Sequence, residues 1–463
     1  LLYESTRGAA PVLGFRDAIL AGLARDGGLY LPAEWPQIAP ETMNAFATMP
    51  YAEIAKAVIS PFAQDEISGR DLGRMIDAAY ATFRHPAVTP LVQTGPSDWI
   101  LELFHGPTLA FKDVAMQLLA RLMDHVLAER GERATIVGAT SGDTGGAAIE
   151  AFRGRANTDI FILFPKGRVS PVQQRQMTTA ADANVHALAI EGNFDDCQAL
   201  VKAMFNDHAF RDKVRLSGVN SINWGRIMAQ IVYYFFAASR LGAPERQVSF
   251  TVPTGNFGDI FAGYAAKRMG LPVDRLVIAT NRNDILARTM MSGRYEVTGV
   301  SATTSPSMDI QVSSNFERLI YEAADRDPEL VRRLMAGLSQ SGAFTLPDPV
   351  ISAIRAEFDA GAATETETAD TISGLLASAG YLADPHTAVG VHVAAGRGGN
   401  APMVTLATAH PAKFPDAVEA ATGNRPALPA WCGDLMDRPE RFDSLPNSLE
   451  TVQEYISSHS RQG

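Results

Sequence analysis

The chain has 463 residues, with 51 Asp and Glu against 40 Lys and Arg and a formal net charge of −11. That balance argues against a non-specific nucleic-acid or anionic-membrane binder, since both need basic surface. Apolar residues at 46% can fill a large core, and at about 150 residues per domain the length predicts two to four domains. No apolar run reaches the roughly 18 residues of a membrane span, and two cysteines, Cys197 and Cys432, are too few for a disulfide framework or a cysteine-based zinc site. The opening Leu1-Leu-Tyr-Glu-Ser5 lacks the apolar core of a signal peptide. The expectation is a cytoplasmic protein, and an enzyme.

In chain order, residues 1–90 read as a separate helix-rich domain, with helices predicted over Phe15–Ala24, Glu41–Phe46, Tyr51–Ser60 and Ser68–Phe83 between prolines. A long apolar helix is predicted over Asp113–Leu127. Short apolar runs then alternate with helical patterns: Ala134–Ala139, Asp159–Phe164, Val185–Ile190, Gln247–Pro253, Arg275–Thr280 and Met403–Thr408 read as strands. Near-continuous β-branched runs suit strands covered on both faces, as in parallel sheets. Intervening helices such as Asp195–Asp207 and Arg226–Arg240 are long enough for right-handed crossovers. The polar stretch Gly361–Asp370 reads as the start of a helix running into Thr371–Ala379. The fold class is α/β, with two wound lobes in residues 91–463, the smaller over about 113–215. No internal repeat is present.

Two βα turns carry chemistry. Thr140-Ser-Gly-Asp-Thr-Gly-Gly146 follows one predicted strand and Thr254-Gly-Asn-Phe-Gly-Asp259 another, each opening a helix. Glycines and small hydroxyl residues there expose backbone N–H groups at a positive helix end, which is an anion site by geometry and by dipole. Neither turn is a G-x-G-x-x-G or Gly-Lys-Ser/Thr nucleotide fingerprint, and Ser141 falls one position late for a nucleophile elbow. Read alone, either is equally a tight turn with a capped helix. Phe104-His-Gly-Pro-Thr-Leu-Ala-Phe-Lys112 places one lysine at the head of the long apolar helix. A desolvated amine there has a lowered pKa and can condense with a carbonyl, although most lysines are simply surface groups.

Taken together, Phe104–Asp113, Gly138–Gly145, Asn220–Trp224, Pro253–Gly258 and Leu406–Phe414, with Asp26–Pro32 and Asp384–Gly390, resemble the threonine synthases of the fold type II pyridoxal-phosphate family. The ordered matches run from residue 26 to 414. The resemblance implies pyridoxal 5'-phosphate held as an aldimine on Lys112, which then moves protons at Cα and Cβ. It implies that Gly255, Asn256, Phe257, Gly258 and Asp259 surround the cofactor phosphate and that the Thr408 hydroxyl partners the pyridine nitrogen. Thr140, Ser141, Asp143 and Thr144 would receive the substrate carboxylate. An anion at Asp143 would repel that carboxylate unless it is turned away or neutralised. Ser221, Asn223 and Arg226 offer a hydroxyl, an amide and a guanidinium fork suited to a phosphate monoester, and by resemblance to the leaving phosphate of O-phospho-L-homoserine. Without the resemblance they read as a helix cap and a surface arginine.

The implied activity is a lyase reaction, O-phospho-L-homoserine and water to L-threonine and phosphate, in a monomer or homodimer without nucleic-acid or membrane partners. Rivals are another fold type II lyase (a threonine dehydratase or a phospholyase) and a silent anion-binding relative. His105, His386 and His410 have no metal-ligand spacing, so no metal site is expected. Lys413 reads as a charged helix start, and Cys197 as a residue without chemistry.

Overall fold

The computed structural model describes all residues except Gln64, Ser141, Gly398, Gln462 and Gly463. Its strands are β1 (Tyr3–Ser5), β2 (Tyr30–Pro32), β3 (Leu91–Gln93), β4 (Asp98–Glu102), β5 (Ala134–Ala139), β6 (Thr158–Pro165), β7 (Val185–Glu191) and β8 (Leu216–Ser217). They continue with β9 (Val248–Pro253), β10 (Val273–Thr280), β11 (Arg294–Glu296), β12 (Ala343–Thr345), β13 (Phe358–Ala362), β14 (Met403–Ala407) and β15 (Asp443–Pro446). Two sheets dominate. One runs β13-β10-β9-β14-β4-β3, and the other β15-β7-β6-β5-β8. Every pairing in them is parallel except β3 with β4. The six predicted strands are all present and include every interior strand of both sheets except β4. Their apolar runs are explained by burial on two faces, as along Thr158–Pro165, where every residue is buried.

The strands missed by the sequence reading lie mostly towards the sheet edges. β3, β13 and β15 are edge strands, and β13 is built from Phe358-Asp-Ala-Gly-Ala362. With no β-branched residue to announce it, that strand forms because β10 offers it a parallel partner, Ile278 opposite Ala360. The helix expected from the polar stretch starts at Glu365, behind a capping box made by Thr364 and Glu367.

The segment before β3 has the expected helices, Phe15–Ala21, Pro40–Phe46, Tyr51–Ala63 and Gly69–Tyr80. Its apolar faces enter the same core as the rest of the chain. Phe62 lies 5.7 Å from Trp224, Phe46 6.1 Å from Phe235 and Tyr51 5.3 Å from Phe236, ring to ring. Such pairs add about 0.5–1.5 kcal/mol each beyond simple burial. Their partner is the helix Trp224–Arg240, buried from Trp224 through Ser239, which explains why its sequence is apolar almost all round.

The arrangement fixes where chemistry can occur. β4, β5, β9 and β14 all deliver their carboxyl ends to one crevice between the sheets, where ligands of open parallel α/β folds bind. Among the described residues no helix is long and apolar enough to cross a membrane.

Candidate active site

Lys112 is the first residue of the helix Lys112–Arg130. The loop before it is tied to the end of β14: the Phe111 N–H donates to the Thr408 carbonyl at 2.8 Å, and His410 N–H to the Leu109 carbonyl at 3.0 Å. Leu109 takes a left-handed φ of 61° in that loop. Asp113 fixes the next turn by accepting from the backbone and hydroxyl of Thr108, both at 2.7 Å. The Lys112 amine is buried, 4.7 Å from the Phe111 ring and 3.7 Å from Asp143 Oδ2. Burial lowers its pKa to about 8, with Arg226 and Lys413 adding to the fall against Asp143. A fraction of neutral amine is therefore present near pH 7–8, as a carbonyl nucleophile or proton acceptor needs.

The turn after β9 is open. The backbone N–H groups of Gly255, Asn256, Phe257, Gly258 and Asp259 donate to no described residue. Phe257 adopts a left-handed φ of 64° as the cap of the helix Gly258–Arg268, and its ring is buried 5.3 Å from Phe316. Gly255 has to be glycine, because a Cβ there would meet the Ser307 carbonyl at 2.7 Å. Asn315 holds the outer side of the turn, donating to the Asn256 and Ser221 carbonyls at 2.9 and 3.1 Å. The cradle fits a phosphate. The Asp259 carboxylate accepts from Tyr233 and Tyr234 through Oδ1, while its buried Oδ2 has no partner among the described residues. Burial pushes its pKa up to about 6.

The turn after β5 is partly closed on itself, leaving the Asp143 and Thr144 N–H groups without an acceptor among the described residues. Thr140 Oγ1 accepts from the N–H groups of Gly142 and Gly145, both at 2.9 Å, so that hydroxyl is a staple of the turn. Thr144 is half-buried beside it, and Ser141 lies outside the described residues. Asp143 heads the helix Asp143–Phe152 and is neutralised. Its Oδ1 meets Lys413 Nζ at 2.8 Å and Gln173 Nε2 at 2.9 Å, while Oδ2 accepts from Ser307 Oγ at 3.3 Å. Burial alone would raise its pKa, but Lys413 and Lys112 outweigh it and hold the carboxyl well below the carboxylate range.

Arg226 is the exception in this crevice. It is buried, yet among the described residues its Nε has no partner and Nη1 reaches only the Val219 carbonyl at 3.3 Å. Burial lowers its pKa to about 10. Asn223, in contrast, is consumed. Its oxygen caps Gly225 N–H at 2.9 Å and its amide donates to the Ile19 and Gly218 carbonyls, leaving no donor for a phosphate. Ser221 is half-buried at the mouth of the same turn. Thr408 is buried at the end of β14 and its hydroxyl makes no hydrogen bond among the described residues. A buried amine, an open anion cradle, an unpaired guanidinium and a free hydroxyl are the groups that pyridoxal phosphate and a phosphorylated amino acid require.

Three family models match: threonine synthase N terminus over residues 2–80, pyridoxal-phosphate dependent enzyme over residues 83–408, and threonine synthase, C-terminal, over residues 387–456. A threonine synthase of Pseudomonas aeruginosa is 54% identical over 464 residues, covering 100% of this chain and 99% of that protein. The chain belongs to the threonine synthase family. It is a pyridoxal-phosphate-dependent lyase of that family, with the α/β fold of its group. The crystal structure of PLP-bound threonine synthase from Brucella melitensis has 68% identity, covers 99% of each chain and superposes with a TM-score of 0.97. Threonine synthase from yeast has 41% identity and a TM-score of 0.93, covering 99% of this chain and 98% of that one.

Several groups in this family member's crevice escaped the sequence reading. Lys413 is fully buried and, besides Asp143, bonds the Thr108 carbonyl at 2.7 Å and Gln176 Oε1 at 3.0 Å. It is no surface helix start. Asp384 accepts from His386 at 2.7 Å, and His386 Nε2 accepts the Ser307 N–H at 3.2 Å. That pair fixes the Pro306–Met308 turn above Gly255. Among the described residues no group of three or more His, Cys, Asp and Glu is placed to hold a metal ion.

Proposed function

We propose that the chain converts O-phospho-L-homoserine and water into L-threonine and phosphate, with Lys112 as the catalytic residue. When bound, pyridoxal phosphate supplies an electron sink that acidifies the substrate's Cα–H. Lys112 Nζ takes the proton from Cα and gives it up before taking one from Cβ, and protons return to Cγ and Cα as the product forms; its depressed pKa suits these transfers. The N–H groups of Gly255, Asn256, Phe257, Gly258 and Asp259 hold the cofactor phosphate. Thr408 would hold the pyridine nitrogen through its neutral hydroxyl. Thr144 and the backbone of the Thr140–Gly146 turn orient the substrate carboxylate, with Asp143 kept from repelling it by Lys413. Arg226 and the Ser221 hydroxyl hold the γ-phosphate as it leaves, and water adds at Cβ.

One observation carries this reading over a dehydratase: among the described residues Arg226 is a buried cation that makes no ion pair, with its Nε unpartnered. Leaving such a charge unpaired is costly, and a phosphate dianion repays it with charge-assisted hydrogen bonds. We place the enzyme in the cytoplasm, as a monomer or homodimer. The division into a helix-rich domain over 1–90 and a catalytic region over 91–463 belongs to the same proposal. The test is paired assay of phosphate and threonine from O-phospho-L-homoserine. Turnover of serine or threonine to a keto acid, without phosphate release from the phosphorylated substrate, overturns it.

A further inference from the structure

Lys413 follows β14 in the larger sheet's half of the crevice, while Asp143 heads the helix after β5 in the other half. Its side chain is completely buried, and a lysine is almost never placed there without a specific task. The ammonium makes all three hydrogen bonds open to it, to Asp143 Oδ1, the Thr108 carbonyl and Gln176 Oε1. Gln176 returns a bond to the same Thr108 carbonyl at 3.0 Å, and Gln173 shares Asp143 Oδ1. One carboxylate oxygen is thus saturated. Among the described residues the other, Oδ2, meets only the Ser307 hydroxyl and, at 3.7 Å, the Lys112 amine.

We propose that Lys413 is a positioning residue for the reaction: it fixes Asp143 in one rotamer and one charge state, with Oδ2 facing the Lys112 nitrogen. The pair then acts on Lys112 as an anion backed by a cation, so that the nitrogen feels a weakened negative charge. A lone carboxylate at 3.7 Å would hold Lys112 protonated and unable to accept the substrate proton, whereas its absence would leave Arg226 and Lys413 to strip the proton too early. Groups that act on this cluster from the surrounding elements are Arg226 and Asp259 towards Lys112, and Asp113 and His410 towards Lys413. The placement rests on Lys112 being the cofactor lysine. Loss of the visible cofactor band in Lys112→Ala secures that premise separately.

The experiment is a spectrophotometric pH titration of the cofactor band in the holoenzyme, which reads the protonation of the Lys112 nitrogen. A unit charge about 4–6 Å away, at an effective dielectric near 20, moves such a midpoint by about 2–3 pH units. Lys413→Met should raise the midpoint and Asp143→Asn should lower it. The double variant should return to within about half a unit of the parent. Lys413→Arg keeps the charge and should stay near the parent as well. Steady-state rates should show kcat falling more than KM rises in Lys413→Met. If Lys413→Met does not fold, Asp143→Asn and Lys413→Arg still decide the matter. A midpoint unmoved in Asp143→Asn, or Lys413→Arg shifted upward from the parent, overturns the proposal and leaves Lys413 a purely structural anchor.

Discussion

The two glycine-rich turns look alike on paper and behave as opposites. Each follows a buried parallel strand, opens a helix and carries an aspartate in the first helical turn, Asp143 in one and Asp259 in the other. Around Thr140–Gly146 the protein answers its own polar groups, with the Thr140 hydroxyl on two N–H groups and Lys413 on the carboxylate. Around Thr254–Asp259 it leaves a row of N–H groups open and gives the carboxylate two tyrosine hydroxyls in place of a cation. The pKa of Asp143 is accordingly pushed down and that of Asp259 up. How much of each turn is left for an anion depends on which donors remain unspent, the Asp143 and Thr144 N–H groups in one and the whole Gly255–Asp259 row in the other, and residues distant in the chain help decide that.

The largest effect expected from this contrast is in Asp143→Asn. Removing one partner of a buried ion pair strands the other and typically costs about 3–5 kcal/mol. A depressed folded pKa means that the stabilisation is complete above the unfolded carboxyl's titration and fades in acid. The variant's denaturation midpoint should therefore fall at pH 7.5, and the deficit should shrink as the parent is acidified. An equal deficit at all pH values would trace the loss to packing.

Next comes Arg226→Ala. Losing a bidentate contact to a partly desolvated phosphate costs about 2–4 kcal/mol, or roughly 30- to 1000-fold in kcat/KM. The cofactor should remain bound, because the Gly255–Asp259 donors are backbone groups. Arg226→Lys should recover part of the loss, since an ammonium lacks the fork. Near-parental kcat/KM in Arg226→Ala would detach Arg226 from the substrate.

Thr140→Val isolates the staple. It keeps the shape of the side chain and removes the acceptor of two N–H bonds, for an expected loss of about 1–2 kcal/mol in equilibrium unfolding. The smallest effect has the opposite sign. Asp259 has its pKa raised to about 6, so the folded state holds the extra proton between about pH 4 and 6 and stability declines as pH rises through that range. Asp259→Asn should gain about 1 kcal/mol at pH 7.5 by differential scanning fluorimetry, and the gain should vanish near pH 4. A destabilised Asp259→Asn would show that the tyrosine bonds outweigh the burial.

Much of this was legible in the sequence. The six β-branched runs became strands, and the place of Lys112 at the head of a long apolar helix could be read because that helix pattern is local, while its role came from the resemblance. What was not legible depended on partners far along the chain. Phe358–Ala362 is a strand only because β10 lies beside it. Lys413 looked like no more than a charged helix start because its carboxylate belongs to Asp143 and its carbonyl to Thr108. Asn223 looked like a ligand because nothing local reveals that the Ile19 carbonyl takes its amide.

The small sheet borrows its outer strand from late in the chain: β15 pairs with β7, and the helix Leu449–His459 follows it. Between those two partners the ribosome must make the whole run from Gly192 to Phe442, which contains most of the other sheet. Until then the flank of β7 is a bare row of peptide groups, open to pairing with a neighbouring nascent chain. The same separation makes this closing pair slow to form. Chains broken off before Asp443 should therefore collect in the insoluble fraction of a translation reaction even though every residue of the crevice has already been synthesised.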